Sequence, residues 1–146
     1  MRACVPLGLD KVRLTGGEPL LRPGLSDLVN RLSDAGVDIA LTTNGSLLRR
    51  YAQDLSKAGL KRVTISLDAI DEDVHQQMSD SSVTVAHILD GIEAAREAGL
   101  SPIKVNCVIR RGVNEEQASK LVHHFRDTGV IAVSYTHLTL PTKRIV

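Results

Sequence analysis

The chain has 146 residues, enough for one domain or for part of a larger one. Apolar residues make up 42% and charged residues 24%, which allows a buried core, while a net charge of +1 offers no global field for nucleic acid or an anionic membrane. Aromatics at 2% give no base-stacking platform, no apolar run approaches the roughly 20 residues that span a bilayer, and Met1-Arg2-Ala3-Cys4 lacks a signal-peptide core, so a cytoplasmic protein is expected.

In chain order, Leu7-Gly8-Leu9 reads as the end of a first helix, and Lys11–Leu14 as a strand running into Thr15-Gly16-Gly17-Glu18-Pro19. A helix over Leu25–Ala35 follows, with Leu25, Leu28, Val29 and Leu32 on one face. Val37–Leu41 is the second strand and leads into Thr42-Thr43-Asn44-Gly45; Leu47–Ala58 is the next helix. The strand Arg62–Ser66 enters Leu67-Asp68, and Asp71 is expected to cap a short helix to Met78. A helix over Val85–Ala98 precedes the strand Ile103–Ile109 and the turn Arg110-Arg111-Gly112. Asn114 is read as the N-cap of a helix over Glu115–Thr128, with Glu115 and Glu116 in its favourable first turn. A fifth strand begins near Val130.

The helices end alike, at Ala35-Gly36, Ala58-Gly59, Ala98-Gly99 and Thr128-Gly129, where glycine takes the left-handed conformation and the next strand starts at once. Strands alternating with helices imply parallel pairing and right-handed crossovers. The fold class is therefore α/β, a partial (β/α) TIM-type barrel of about four to five βα units, since a whole barrel takes about 250 residues. Residues 1–132 are assigned to it. From Val133 onward the sequence breaks the rhythm, and 133–146 is expected to be a non-native tail, so His137 and Lys143 receive no weight.

Each polar signature falls where a strand ends, and in a parallel sheet those ends share one face, on which such folds build their sites. Gly16-Gly17 allows close approach of backbone to a ligand. Taken singly, Glu18 reads as a solvated loop carboxylate. His75, His87, His123 and His124 lack ligand spacing and read as surface or boundary residues, and Arg49-Arg50 and Arg110-Arg111 as solvated pairs. The two cysteines, Cys4 and Cys107, are far apart; a disulfide between them is not expected, Cys107 reads as a small buried thiol, and no metal ligand is assigned.

The run Val12-Arg13-Leu14-Thr15-Gly16-Gly17-Glu18-Pro19-Leu20-Leu21-Arg22 resembles the Gly-Gly-Glu-Pro segment of radical S-adenosylmethionine enzymes, which ends the second barrel strand and whose backbone binds the cofactor's methionine amino group. Leu41–Gly45, Val63–Asp71, Lys104–Val108 and Arg111–Asn114 narrow the resemblance to the GTP 3′,8-cyclase family, from about Leu7 to Ala132. That resemblance implies that Arg13, Thr42 and Lys104 bind GTP and that Gly17 and Ser66 contact S-adenosylmethionine. Two cations suit a triphosphate, and the hydroxyls suit polar groups of either ligand. Asn44, Asp68 and Asn106 are expected to stand behind these contacts. No residue is assigned as catalytic.

The implied reaction is the first step of molybdenum cofactor biosynthesis. A 5′-deoxyadenosyl radical takes hydrogen from the ribose C3′ of GTP and the carbon radical attacks C8, yielding (8S)-3′,8-cyclo-7,8-dihydroguanosine 5′-triphosphate. The parent would act before a cyclic pyranopterin monophosphate synthase, with a homodimeric assembly left open. The family holds 4Fe–4S clusters with three-cysteine sets, including Cys-x3-Cys-x2-Cys, and this chain has neither set. Cys4 falls at the end of the helix before the second strand, outside the cluster loop. The chain is thus expected to be an inactive central fragment of a longer enzyme. The rival readings are another, peptide-modifying radical S-adenosylmethionine enzyme and a non-catalytic αβ binding module.

Overall fold

The computed structural model describes residues 7–79 and 82–136. Five parallel strands form one sheet: β1 (Lys11–Leu14), β2 (Asp38–Thr43), β3 (Arg62–Ser66), β4 (Ile103–Ile109) and β5 (Ile131–Thr136). They are joined by helices α1 (Leu25–Asp34), α2 (Leu48–Lys57), α3 (Glu72–Met78), α4 (Val85–Glu97) and α5 (Gln117–His124). The strand order follows the sequence, β1 to β5 without reversal. With right-handed crossovers, an unreversed order puts every helix on the same side of the sheet, the arrangement of a barrel wall rather than of a doubly wound sheet. The chain is a partial (β/α) barrel wall.

The strands alternate cleanly. Val12, Leu14, Ile39, Leu41, Val63, Ile65, Ile103, Val105 and Cys107 face the helices, and all but the β1 pair are buried. The alternate positions carry Lys11, Arg13, Asp38, Ala40, Thr42, Arg62, Thr64, Ser66, Lys104 and Asn106. Parallel strands usually read as continuous apolar runs because both faces are buried. The inner face of this sheet departs from that pattern by being largely polar.

Behind the sheet, Val29, Leu32, Leu48, Leu55, Ile88 and Ile92 complete the core. Gly91 of α4 lies so close to the start of α2 that an added Cβ would sit 2.8 Å from the Gly45 carbonyl oxygen and 3.2 Å from Leu48 Cβ. The loop before α2 is thereby held against α4.

Three strands match their expected bounds; the differences lie at the ends of other elements. β2 runs on to Thr43, because Thr42 and Thr43 pair with Thr64 and Ile65 as strand rather than turning away. Pro19–Leu21 forms a short 3₁₀ turn, with Glu18 accepting from the Leu20 N–H and proline at its first position. Asp71 precedes α3 without capping it through its side chain. Helix α5 begins only at Gln117, and Asn114 is not its cap, since the Asn114 side chain is engaged elsewhere. β5 crosses the expected boundary at residue 133 and pairs with β4 as far as Thr136–Ile109, through backbone groups that almost any sequence offers. Cys4, His137 and Lys143 lie outside the described residues.

Candidate functional site

The register arranges the inner face in levels. Arg13, Ala40 and Arg62 share one; Thr42, Thr64 and Lys104 the next; Ser66 and Asn106 the one nearest the strand ends. Successive levels on one face are two residues apart, roughly 6–7 Å. Arg13 and Lys104 line one depression of about 180 Å³ together with Lys11, Ala40, Arg62, Val63, Thr64 and Pro102. Both are exposed, and among the described residues neither makes an ion pair. Arg62, by contrast, is paired with Asp38. The floor of the inner face therefore offers unpaired positive charge.

Thr42 stands on the upper side of that floor. Its Oγ1 is buried and has no hydrogen-bond partner. A buried hydroxyl without a partner costs on the order of 1–3 kcal/mol. Ser66, at the end of β3, is exposed on the same face. Gly17 is exposed in the turn after β1, and no atom lies within 4 Å of where a Cβ would stand on either Gly16 or Gly17. Gly16 has φ +144°, which disfavours any side chain there. Arg13, Thr42, Ser66 and Lys104 are thus brought to one face, and Gly17 to its rim.

Glu18 is not a free loop carboxylate. Its Oε1 accepts from the Leu20 N–H (3.0 Å) and the Thr43 hydroxyl (2.7 Å), and its Oε2 from the Asn44 N–H (2.8 Å). The turn after β1 is therefore tied to the turn after β2. Asn44 itself closes a local turn by accepting from the Ser46 N–H (2.9 Å).

The opposite end of the rim is tied from below. Asn114, only 1% exposed, donates to the carbonyls of Asp68 (2.9 Å) and Val108 (2.8 Å) and accepts from the Arg110 N–H (2.7 Å). Asp68 accepts from the Val108 N–H at 2.7 Å. Buried Gln117 accepts from the N–H groups of Ile70 and Asp71 (3.1 and 3.2 Å). Neither Gln117 nor the tie through Glu18 was legible as such; the only signal for Gln117 was its apolar spacing with Leu121.

Cys107 lies on the helix-facing side, in an apolar cavity of about 290 Å³ with Leu121, Val122 and Ala132. Burial first, and the Asp68 charge second, push its thiol up to about 11. His75 is a correction to the surface reading: it is 5% exposed, with neither ring nitrogen hydrogen-bonded. Arg49 likewise is not simply solvated but bridges Asp90 and Glu97 of α4 (2.6 and 2.7 Å). Among the described residues no cluster of three His, Cys, Asp or Glu could hold a metal ion, and no helix is long and apolar enough to cross a membrane.

An unreversed parallel wall with its polar turns gathered at the strand ends is the architecture of a (β/α) barrel. A model of the radical SAM superfamily matches residues 1–125, and the chain belongs to that superfamily. It is 51% identical over 131 residues to a protein named GTP 3′,8-cyclase from Xanthomonas axonopodis pv. citri (strain 306), covering 88% of this chain and 39% of that protein. A protein of the same name from Acidothermus cellulolyticus (strain ATCC 43068 / DSM 8971 / 11B) is 50% identical over 131 residues, covering 88% of this chain and 36% of that protein. The chain thus spans well under half the length of these relatives. Among solved structures, Streptococcus suis SuiB superposes with a TM-score of 0.71 at 20% identity, covering 88% of this chain and 30% of that one. TYW1 with a lysine-pyruvate adduct bound superposes with a TM-score of 0.67 at 23% identity, covering 90% and 43%. These two are likenesses of fold.

Proposed function

We propose that this chain is the central part of a GTP 3′,8-cyclase and that its inner face holds GTP, with Arg13, Thr42 and Lys104 as the contacts. The observation that carries this reading is the unpartnered Thr42 hydroxyl on one face with two unpaired cations, level with Lys104 and one level above Arg13. Anionic phosphates would meet the cations, by charge-assisted bonds, and a ribose or base polar group would satisfy Thr42. Ser66 and the Gly17 backbone lie one level higher or at the rim, and we assign them to S-adenosylmethionine. The open space around Gly16 and Gly17 fits a ligand amino group approaching the backbone. When bound, S-adenosylmethionine supplies the hydrogen-abstracting 5′-deoxyadenosyl group of the cyclisation. This chain's own residues orient the ribose toward that group, neutralise the triphosphate and limit side reactions.

The 4Fe–4S cluster of the superfamily does not fit the donors of this segment. Its sequence has two cysteines, and Cys107 points away from the inner face into the apolar layer. No step through a cluster is assigned to these residues. The segment's share is recognition, and recognition is what the experiment measures. Amide shifts during a GTP titration should move at Thr42 and Lys104, and Lys104→Ala should weaken binding about tenfold, the loss of one charge-assisted bond. Equal affinity in Lys104→Ala would remove Lys104 from the site.

A further inference from the structure

Glu18 sits in the turn assigned to the cofactor, yet its carboxylate reaches across to the strand that carries Thr42. We propose that Glu18 is a positioning residue for the substrate side of the site, acting on Thr42 through Thr43 and Asn44. The proposal rests on the reading of Thr42 as a GTP contact.

The Thr43 hydroxyl is 3% exposed and accepts from the Gly45 N–H (3.1 Å). Its single proton is then given to Glu18 Oε1 at 2.7 Å. Glu18 Oε2 takes the next backbone donor, Asn44 N–H. From behind, the turn is boxed by apolar atoms: a Cβ on Gly45 would lie 3.0 Å from Ile65 and 3.1 Å from Ile88. Packing therefore limits how far the turn can move back, and the carboxylate limits how far it can move forward. Thr42 is the residue just before this fixed point, with its side chain on the opposite face. Its hydroxyl has no bond of its own to set its height or direction. Whatever orientation Thr42 presents to a ligand is set by its neighbours: the ladder to β3 on one side, and the side-chain bonds from Glu18 to the two residues that follow it.

Charge-assisted bonds are about twice as strong as neutral ones, so a carboxylate is the suitable acceptor at a partly wet rim. Glutamine can keep one oxygen on Leu20 and Thr43 but turns an amide N–H₂ toward the Asn44 N–H. Glu18→Gln should therefore retain part of the effect, and Glu18→Ala none.

The experiment is an NMR titration of the isotopically labelled 146-residue chain with GTP, with no S-adenosylmethionine present. It compares the wild type with Glu18→Gln, Glu18→Ala and Thr42→Ala, alongside hydrogen exchange at Asn44 and a urea midpoint for each. The expected result is about tenfold weaker GTP binding in Glu18→Ala, an intermediate loss in Glu18→Gln, and faster exchange at Asn44 in both. Unchanged GTP affinity alongside faster Asn44 exchange would overturn the proposal. So would losses in Glu18→Gln and Glu18→Ala that merely follow their urea midpoints, since that pattern describes general destabilisation. If Glu18→Ala does not fold, Thr43→Val removes the same link from the other side and should weaken GTP binding alike. A wild type and Thr42→Ala with equal GTP affinity would instead sink the substrate reading, and the coupling to substrate with it.

Discussion

The two ends of the rim are fastened by opposite means. Between β1 and β2 the link is Glu18, a charged side chain at a partly wet surface. Between β3 and β4 it is Asn114, a neutral amide with 1% exposure whose donors and acceptor are matched to Asp68, Val108 and Arg110. Burying a neutral amide with every bond made avoids the cost of burying a charge, but each bond lost leaves a buried partner unsatisfied. The carboxylate has the reverse balance: water can replace it, while its charge gives stronger and more directional bonds. Stability should therefore rest on the Asn114 end and ligand geometry on the Glu18 end.

Asn114→Ala tests this most directly. Three backbone groups lose their partner, and a destabilisation of about 3 kcal/mol is expected from urea unfolding, the largest effect among these variants. A loss no greater than that of Glu18→Ala would erase the distinction. Gly91→Ala should come next, at about 2 kcal/mol, because its Cβ would press on the Gly45 carbonyl at 2.8 Å. It should also disturb the turn that Glu18 holds, so GTP shifts at Thr42 should shrink with it. Glu18→Ala should lower stability by only about 1 kcal/mol while its effect on GTP binding exceeds that of Asn114→Ala.

A smaller effect concerns pH. Below about 9 the Cys107 thiol is neutral in both folded and unfolded chains, and its folded value is pushed up to about 11. Between these values only the unfolded chain ionises, so stability falls as pH rises from about 9 to about 11. Cys107→Ala should remove that slope in denaturation curves taken across this window. Smallest of all, Arg49→Ala breaks exposed bridges to Asp90 and Glu97 and should barely move the thermal midpoint, less still in high salt.

Much of this is legible in the amino-acid sequence. β1, β3 and β4 have the expected bounds because each alternates apolar with polar residues between an upstream glycine and a polar turn. The common face of Arg13, Thr42, Ser66 and Lys104 follows from period-two alternation once the strands are parallel and in register. What escaped depends on distance through space. Glu18 meets Thr43 and Asn44 across 25 and 26 residues, and no local pattern announces that meeting. Asn114 carried a misleading local signal, since asparagine before two glutamates is a sound helix start, and tertiary bonds outcompeted it. His75 shows the same limit, because nothing in its helix distinguishes a buried imidazole from an exposed one.

The unreversed strand order has a consequence for assembly. Each strand pairs with its immediate predecessor in the chain, its register partners lying 22 to 40 residues back, across one intervening helical connection. Such a wall can grow by accretion as it leaves the ribosome, every new unit docking on a surface already formed and none needing to thread between earlier strands. Its two outer strands are growing points, to which further strands can be joined without rearranging what lies between them.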